Sequence, residues 1–212
     1  AVDFLEKLNC PIYKIASFEM NYLQLIKKVA KTRKPMIIST GLASLSEIEK
    51  TLKVAKKYGA KNITLLYCVS QYPSSLDDFN LYNIEIMRKK FKCNIGLSDH
   101  SLDNRVMIAS IANGVNVIEK HIALDNQKKG FDIKFALKGK EIKNFKSEMD
   151  KIFNLMGEKK FKRSNKEIKN LIFRRSIFAT KNIKKGEKFN NKNIKIVRPN
   201  IGYQPEMFEK LL

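Results

Sequence analysis

Residues 94–121 read NIGLSDHSLDNRVMIASIANGVNVIEKH, and this stretch carries the pattern that decides the fold. The apolar runs at 94–97 and 116–119 each predict a buried β-strand. Between them, the apolar positions over 106–112 follow helical spacing, and Gly114 is a typical helix stop. A strand, a helix and a second strand in this order predict two parallel strands joined by a crossover helix.

The same unit recurs upstream, where further apolar runs alternate with helical patterns. The five predicted strands are residues 12–16, 36–39, 63–67, 94–97 and 116–119. Helical stripes occupy 23–29 and 45–55 between the strands, and Ser44 or Ser46 is expected to cap the second of these helices. This alternation predicts an α/β fold built on a parallel sheet.

Two architectures contain such a sheet, an open doubly wound sheet and a (β/α)8 barrel. No predicted strand is followed by the G-x-G-x-x-G turn or the P-loop of a nucleotide-binding open sheet. Reactive polar side chains instead follow all five strands, as expected of a barrel, whose active site forms at the carboxyl ends of its strands. We therefore predict a partial TIM barrel comprising strands four to eight, with three more strands expected upstream.

The pattern changes after the fifth strand, where a helical stripe at 145–156 precedes a lysine-rich stretch and a β-like segment. We predict that 1–156 is the C-terminal part of a barrel catalytic domain, 157–174 a linker and 175–212 the start of a small β-rich domain. Both chain ends look internal to a longer protein. We expect the chain alone to be inactive and poorly folded, because an open barrel exposes strand edges.

The composition narrows the classes of partner. Lys and Arg number 42 against 21 Asp and Glu, a formal net charge of +21. The lysines are scattered and arginine is sparse, which argues against nucleic acid and suits small phosphorylated or carboxylated substrates. No apolar run reaches the ~20 residues that a membrane-spanning helix needs. Cys10, Cys68 and Cys93 form no C-x-x-C pair and indicate buried thiols in a reducing cytoplasm.

The two histidines of the chain, His100 and His121, each come just after one of two consecutive strands. Neighbouring strands lie about 5 Å apart, so both imidazoles are expected at one mouth of the barrel. They can share a divalent metal, Mn²⁺ or Mg²⁺, with water and substrate oxygens completing its coordination. The alternative is that they only form hydrogen bonds within the site.

Charged and hydroxyl side chains surround the same strand ends. Lys14 lies inside an apolar strand, where its ammonium requires an anion, either from a substrate or from Glu19 or Glu119. The repeated strand-end hydroxyls of Ser17, Ser39 and Ser98 predict a phosphate cradle. Glu19 and Asp132 are carboxylates able to orient sugar hydroxyls or move protons, although Asp132 follows the last strand and suits a solvated surface equally well.

Several short motifs carry a resemblance over essentially the whole chain. They are KIASFE at 14–19, ISTG at 38–41, CVSQYP at 68–73, GLSDH at 96–100, IEKH at 118–121, IKKGE at 183–187 and VRP at 197–199. Together they resemble the sialic acid (N-acetylneuraminate) synthase family, whose members condense phosphoenolpyruvate with a 2-acetamido sugar and release phosphate. The resemblance also implies that the C-terminal part begins an antifreeze-like (SAF) domain.

The resemblance implies a role for each candidate residue. His100 and His121 would hold Mn²⁺, and Glu19 and Asp132 would face the acyclic sugar. The residues implied to bind phosphoenolpyruvate are Lys14, Ser17, Ser39, Ser70, Tyr72 and Ser98. Arg198 matches an arginine that reaches into the barrel of a partner subunit, which implies a domain-swapped homodimer.

Within the family, the sequence favours the pseudaminic acid synthase branch. Neuraminate synthases usually have glycine at the positions of Ala16 and Phe18 and asparagine at Ser70, and the stretch 198–202 also leans towards the pseudaminic branch. The segment 131–136 matches neither branch cleanly, so a neuraminate or legionaminate synthase stays the alternative. Two further alternatives are another phosphoenolpyruvate-dependent barrel aldolase or synthase, and a non-catalytic binding homologue.

Overall fold

The computed structural model describes all 212 residues and divides them into two compact units, Ala1–Gly157 and Glu158–Leu212. The helices of the first unit are α1 (Val2–Lys7), α2 (Leu23–Lys31), α3 (Leu45–Lys57), α4 (Tyr82–Phe91), α5 (Asn104–Ala112) and α6 (Gly139–Met156). Its strands are β1 (Tyr13–Ile15), β2 (Met36–Ser39), β3 (Ile63–Cys68), β4 (Asn94–Asp99), β5 (Ile118–Lys120), β6 (Ile122–Ala123) and β7 (Leu137–Lys138). No helix of either unit is long and apolar enough to cross a membrane.

The first five strands form one sheet in chain order, and every neighbouring pair is parallel. All five predicted strands are therefore confirmed, and β3 and β4 extend one or two residues further than expected. Ser44 is the N-cap of α3, where it accepts the Glu47 N–H while the Glu47 carboxylate accepts the Ser44 N–H. Such a capping box stabilises a helix by about 1 kcal/mol.

The five-stranded sheet is strongly curled. β1 and β5 are its two edges, and in a flat sheet four strand spacings would separate them by about 19 Å. Yet Lys14 Nζ on β1 lies 3.3 Å from Glu119 Oε1 on β5. Two side chains cannot bridge the flat-sheet distance, so the edges must turn towards each other around an inner face. The sheet is thus part of a barrel, as predicted.

Strand parity sorts the side chains between the two faces of this curled sheet. The outer face carries the buried apolar residues that pack under the helices: Tyr13, Ile15, Met36, Ile38, Ile63, Leu65, Ile95 and Leu97. Residues paired in register across the strands project to the same side, so Cys68, Ser98 and Glu119 share the inner face. Burial on the outer side leaves the inner face available for polar groups.

The second unit is small and contains two antiparallel strands, β8 (Ser176–Ala179) and β9 (Ile194–Val197). Its helices are α7 (Asn165–Lys169) and α8 (Phe208–Leu211). The residues predicted as a linker, 157–174, include α7 and the 3-10 turn Asn170–Phe173. The buried Ser176 hydroxyl ties the strands to the following loop, because it donates to the Pro199 carbonyl at 2.6 Å and accepts the Gly202 N–H at 3.0 Å.

Candidate active site

A cavity of about 620 Å³ opens at the carboxyl ends of the five parallel strands. It is lined by Lys14, Ala16, Ser17, Phe18, Ser39, Tyr72, Ser98, His100, Glu119, Lys120, His121 and Asp132. Eight of the eleven residues predicted for the site are in this lining, although they come from segments far apart in the chain. The parallel sheet brings them together because it places all its strand ends at one edge.

One wall of the cavity contains an ion pair and a hydrogen bond that connect the two edge strands of the sheet. Lys14 Nζ lies 3.3 Å from Glu119 Oε1, and the Ser98 hydroxyl donates to that same oxygen at 2.7 Å. Both ionic side chains are about one-third exposed towards the cavity. Of the anions that the sequence offered to Lys14, Glu119 is the protein carboxylate in contact. An anionic substrate arriving here would meet an ammonium already held in place.

A second wall consists of hydroxyl and thiol groups around Gly41. Cys68 Sγ lies 3.1 Å from Ser17 Oγ and accepts the Gly41 N–H at 3.1 Å. The buried hydroxyls of Ser39 and Ser70 have no hydrogen-bond partner within the protein. Buried hydroxyls are normally satisfied, and Ser39 lines the cavity, so its hydroxyl is an available donor for the oxygens of a bound phosphate or carboxylate.

The two histidines meet at the mouth of the cavity, with ring centroids 5.3 Å apart. His100 Nδ1 lies 3.0 Å from the Val69 carbonyl, and His121 Nδ1 lies 3.2 Å from Asp132 Oδ2. Each ring thus has its Nδ1 engaged and its Nε2 free of protein partners. Metal-binding histidines commonly show this arrangement, in which a carbonyl or carboxylate fixes the ring and its tautomer.

The donor set fits a divalent cation with an open coordination sphere. No cluster of three or more His, Cys, Asp or Glu side chains is arranged to enclose a metal, so the protein offers two imidazoles. Burial is the main cause that lowers the pKa of His100, which favours the neutral, metal-binding imidazole. Water and substrate oxygens would have to supply the remaining ligands, as Mn²⁺ and Mg²⁺ accept readily.

Aromatic rings surround the histidines and fix their positions further. Tyr72 packs against His100 with centroids 4.3 Å apart, and burial raises the pKa of its phenol. Phe135 is almost fully buried, with its centroid 5.0 Å from that of His121 and 6.1 Å from that of His100. Both imidazoles therefore sit in a shaped, partly apolar environment rather than in open solvent.

Three predicted site residues lie outside this cavity lining. Glu19 is exposed at the end of the 3-10 turn Ser17–Glu19, and Ser70 is set behind the lining beside Gly41. Arg198 belongs to the second unit, where it borders a cavity of about 380 Å³ with Arg174 and Arg175. The predicted roles of these three residues stay predictions.

Several contributors were missing from the sequence-based set. Glu119 was considered only as a partner of Lys14, although the register of β4 and β5 places it beside Ser98 at the centre of the site. Cys68 was assigned a buried structural role, yet its thiol contacts the Ser17 hydroxyl in the second wall of the cavity. Strand parity could have revealed both. Phe135 comes from the irregular segment before β7, and no local pattern points to it.

Comparison with known proteins gives a consistent result. A profile described as the NeuB family matches residues 1–161. Over all of this chain, the pseudaminic acid synthase of Campylobacter jejuni is 38% identical and the N,N'-diacetyllegionaminic acid synthase of that bacterium is 40% identical. A crystal structure of N-acetylneuraminic acid synthetase from Leptospira borgpetersenii, in complex with citrate, aligns with a TM-score of 0.75 at 31% identity.

The alignments also define how much of these proteins the chain represents. It spans 62% of the pseudaminic acid synthase and 64% of the legionaminic acid synthase from Campylobacter jejuni. The structural match covers 80% of this chain and 59% of the Leptospira borgpetersenii protein.

Proposed function

Because the chain belongs to the NeuB family, we propose that the intact protein condenses phosphoenolpyruvate with an acetamido hexose to give a nonulosonic acid and phosphate. The observation that carries the proposal is the convergence of His100, His121 and Lys14 on one cavity rich in hydroxyls. The paired imidazoles suit a metal, and the ammonium with its neighbouring hydroxyls suits a phosphorylated carboxylate. This combination matches a reaction between phosphoenolpyruvate and an aldehyde.

The metal in this proposal is Mn²⁺, with Mg²⁺ as the alternative, held by His100 and His121. When bound, it supplies Lewis-acid polarisation of the open-chain aldehyde of the sugar. The engaged Nδ1 atoms keep both rings oriented towards the cavity. Asp132 has two uses in this scheme, since one carboxylate can orient His121 and still offer its second oxygen to a sugar hydroxyl.

The phosphoenolpyruvate site consists of Lys14 and the hydroxyl cradle. Lys14 pairs with the carboxylate or phosphate, and the cradle hydroxyls donate to the remaining oxygens. The residues proposed for the cradle are Ser17, Ser39, Ser70, Tyr72 and Ser98. Fixing the anion in this way holds C3 of phosphoenolpyruvate against the aldehyde and removes much of the entropic cost of bringing two substrates together.

The reaction then proceeds in two stages. The double-bond electrons of phosphoenolpyruvate form a bond from C3 to the aldehyde carbon, which leaves C2 electron-deficient, and the former aldehyde oxygen takes up a proton. Water adds at C2 and loses a proton, and the resulting tetrahedral centre expels phosphate: the C2–O bond to phosphate breaks, and the C2 hydroxyl loses its proton to become the ketone. Lys14 and the donors around it stabilise the charge that develops on the phosphate. Glu119 accepts hydrogen bonds beside this centre, and Glu19 and Asp132 are our candidates for proton transfer and for sugar binding.

We assign the sugar as a 2,4-diacetamido-trideoxy hexose and the product as pseudaminic acid. Support comes from the Ala16, Phe18 and Ser70 positions and from three curated pseudaminic acid synthases that are 37–38% identical over the whole chain. The second candidate product is a legionaminic acid, favoured by the 40% identity to a legionaminic acid synthase. A 2-acetamido hexose, giving N-acetylneuraminate, is the third.

The rest of the proposal concerns the assembly. We propose that 175–212 begins an antifreeze-like (SAF) domain and that Arg198 enters the barrel of a second copy, so that the enzyme acts as a domain-swapped homodimer. The surrounding arginines support an anion-binding role for this region. We place the enzyme in the cytoplasm of a bacterium, where its three free cysteines would stay reduced.

The experiment is a phosphate-release assay on the intact protein after metal removal and readdition of Mn²⁺ or Mg²⁺. We expect release that requires metal, phosphoenolpyruvate and an acetamido hexose together, and mass spectrometry of the product identifies the branch. Release with simple aldose phosphates but not with acetamido hexoses would instead indicate another barrel aldolase. No metal or phosphoenolpyruvate binding, with salt-sensitive binding to polyanions, would indicate a binding homologue.

A further inference from the structure

A buried ion pair joins β4 and β5 at the residues immediately before the two histidines. Lys120 Nζ lies 2.7 Å from Asp99 Oδ2, and their side chains are 8% and 0% exposed. The two residues are direct partners in the parallel register, and each precedes a histidine, His100 or His121, in the chain. Parity turns their side chains away from those of Ser98 and Glu119, so the pair is separate from the Lys14–Glu119–Ser98 contacts, although Lys120 also borders the cavity.

The ion pair is connected to the backbone on the far side of the first histidine. Asp99 Oδ1 accepts the Ser101 N–H at 2.8 Å, and the Lys120 ammonium also donates to the Ser101 carbonyl. His100 is therefore enclosed in a short loop whose two ends are fixed by one carboxylate. Its own carbonyl accepts the Ser74 N–H at 3.1 Å, which holds the loop from the opposite direction.

A buried ion pair is poor evidence for stability in itself, since well-packed apolar residues often serve the fold equally well. Such a pair instead fixes how its two side chains, and the strand ends that carry them, are oriented, because a charged hydrogen bond has a defined length and angle. The nearby Phe145 ring, 5.9 Å from the ammonium, supports this geometry from the helix layer. Both charged groups thus have their hydrogen-bond partners within the protein.

We propose that Asp99 and Lys120 are positioning residues that set the separation and orientation of His100 and His121 for metal binding. The proposal rests on the function proposed above, in which those histidines hold Mn²⁺. The pair acts through the backbone: it locks the register of the two strand ends and the turn at Ser101, so that both rings enter the cavity mouth together. The Lys120 ammonium donates to Asp99 and to the Ser101 carbonyl, so we assign neither residue as a ligand of the metal or of the substrates.

The test is the Mn²⁺ affinity of the intact protein, measured by electron paramagnetic resonance from the signal of free Mn²⁺ without any turnover. In Lys120→Met we expect binding about 10- to 100-fold weaker, the range seen when groups that orient metal ligands are removed. The matched control is Lys34→Met, which removes another partly buried lysine, paired to Glu6 at 2.7 Å and remote from the cavity. It should bind Mn²⁺ like the wild type.

A second variant separates positioning from stability. Lys120→Met leaves Asp99 buried without its cation and will lower the melting temperature, whereas Asp99→Leu/Lys120→Met replaces both charges with apolar groups and should recover much of it. We expect the double variant to fold and still bind Mn²⁺ weakly. Recovery of the metal affinity together with the melting temperature would refute the proposal, and so would an unfolded double variant, because the pair would then serve the fold alone.

The same titrations distinguish failure of this inference from failure of the proposed function. If the wild-type protein does not bind Mn²⁺, the assignment of the histidines as metal ligands fails. If the wild type binds Mn²⁺ and folded Lys120→Met binds it equally well, only the positioning role fails, and the metal site itself stands.

Discussion

Replacing Gly41 by alanine tests the hydroxyl cradle directly, because the new methyl group has no free space. A Cβ at this position would lie 2.0 Å from Ser70 Oγ, 2.8 Å from Cys68 Sγ and 3.0 Å from Ser17 Oγ. The Ser70 hydroxyl can rotate away at little cost. Cys68 cannot move so freely, since its sulfur already accepts the Gly41 N–H and contacts Ser17.

The size of the effect follows from these contacts. Inserting a methyl group into a packed site costs about 1–3 kcal/mol. Each 1.4 kcal/mol corresponds to about a tenfold change in binding. If the whole cost weakens the binding of phosphoenolpyruvate, its KM rises by roughly 5- to 150-fold. We expect about tenfold, because one of the three contacts is relieved by rotation of a hydroxyl. The turnover number should change less, since the histidines and Glu119 are not displaced.

The assay is steady-state phosphate release by the intact protein at saturating sugar and variable phosphoenolpyruvate. Gly59→Ala is the matched control, since Gly59 has a φ of +110°, a backbone conformation that alanine adopts only with strain. That strain lies in the turn after α3 and involves no cradle hydroxyl, so the control should lose thermal stability and keep its KM. A wild-type KM in Gly41→Ala, or equal KM changes in both variants, would refute the assignment of the cradle.

Three further predictions address other parts of the molecule. Lys14→Met removes a charged hydrogen bond worth about 1.5–3 kcal/mol and should raise the KM for phosphoenolpyruvate about 10- to 150-fold in the same assay. Phe135→Ala empties a buried site against both imidazoles and should lower the unfolding free energy by about 3–5 kcal/mol in urea titrations. The Arg105 side chain is the main cause that lowers the Asp103 pKa from 3.8 to about 2, so the paired carboxylate stabilises the fold above pH 3.8 and loses that effect as the pH falls towards 2. Asp103→Asn should therefore melt below the wild type at neutral pH, and this gap should close in acid; a gap independent of pH would contradict the pairing.

The strands could be predicted because buried parallel strands appear as short, nearly continuous apolar runs. Each run had turn or helix signals on both sides, so the order and the parallel direction of the sheet followed. The helix α4 was not predicted, although its buried residues Ile84, Met87 and Phe91 follow the i, i+3, i+7 spacing of an amphipathic helix. The exposed apolar side chain of Ile86 and the lack of a side-chain cap at the N-terminus make this stripe less distinct.

The site residues at the strand ends were also predictable, because a barrel collects such residues at one edge. Their partners were not. The Lys14–Glu119 contact joins the first and last strands of the sheet, so it depends on how far the sheet curls. Phe135 and Asp132 reach the histidines from an irregular segment whose path no periodicity specifies. Contacts of this kind arise from the curl of the whole sheet and have no counterpart in local sequence.

The register of the strands decides which side chains face the cavity. Side chains alternate between the faces, so the prediction that Ser98 faces the cavity implies that Asp99 does not. The same parity, carried across β5, places Glu119 beside Ser98 and Lys120 beside Asp99, as the structure has them. A shift of one residue would exchange the two pairs and place a buried ion pair where the substrate should bind. The chemistry of this site therefore depends on register as much as on residue type.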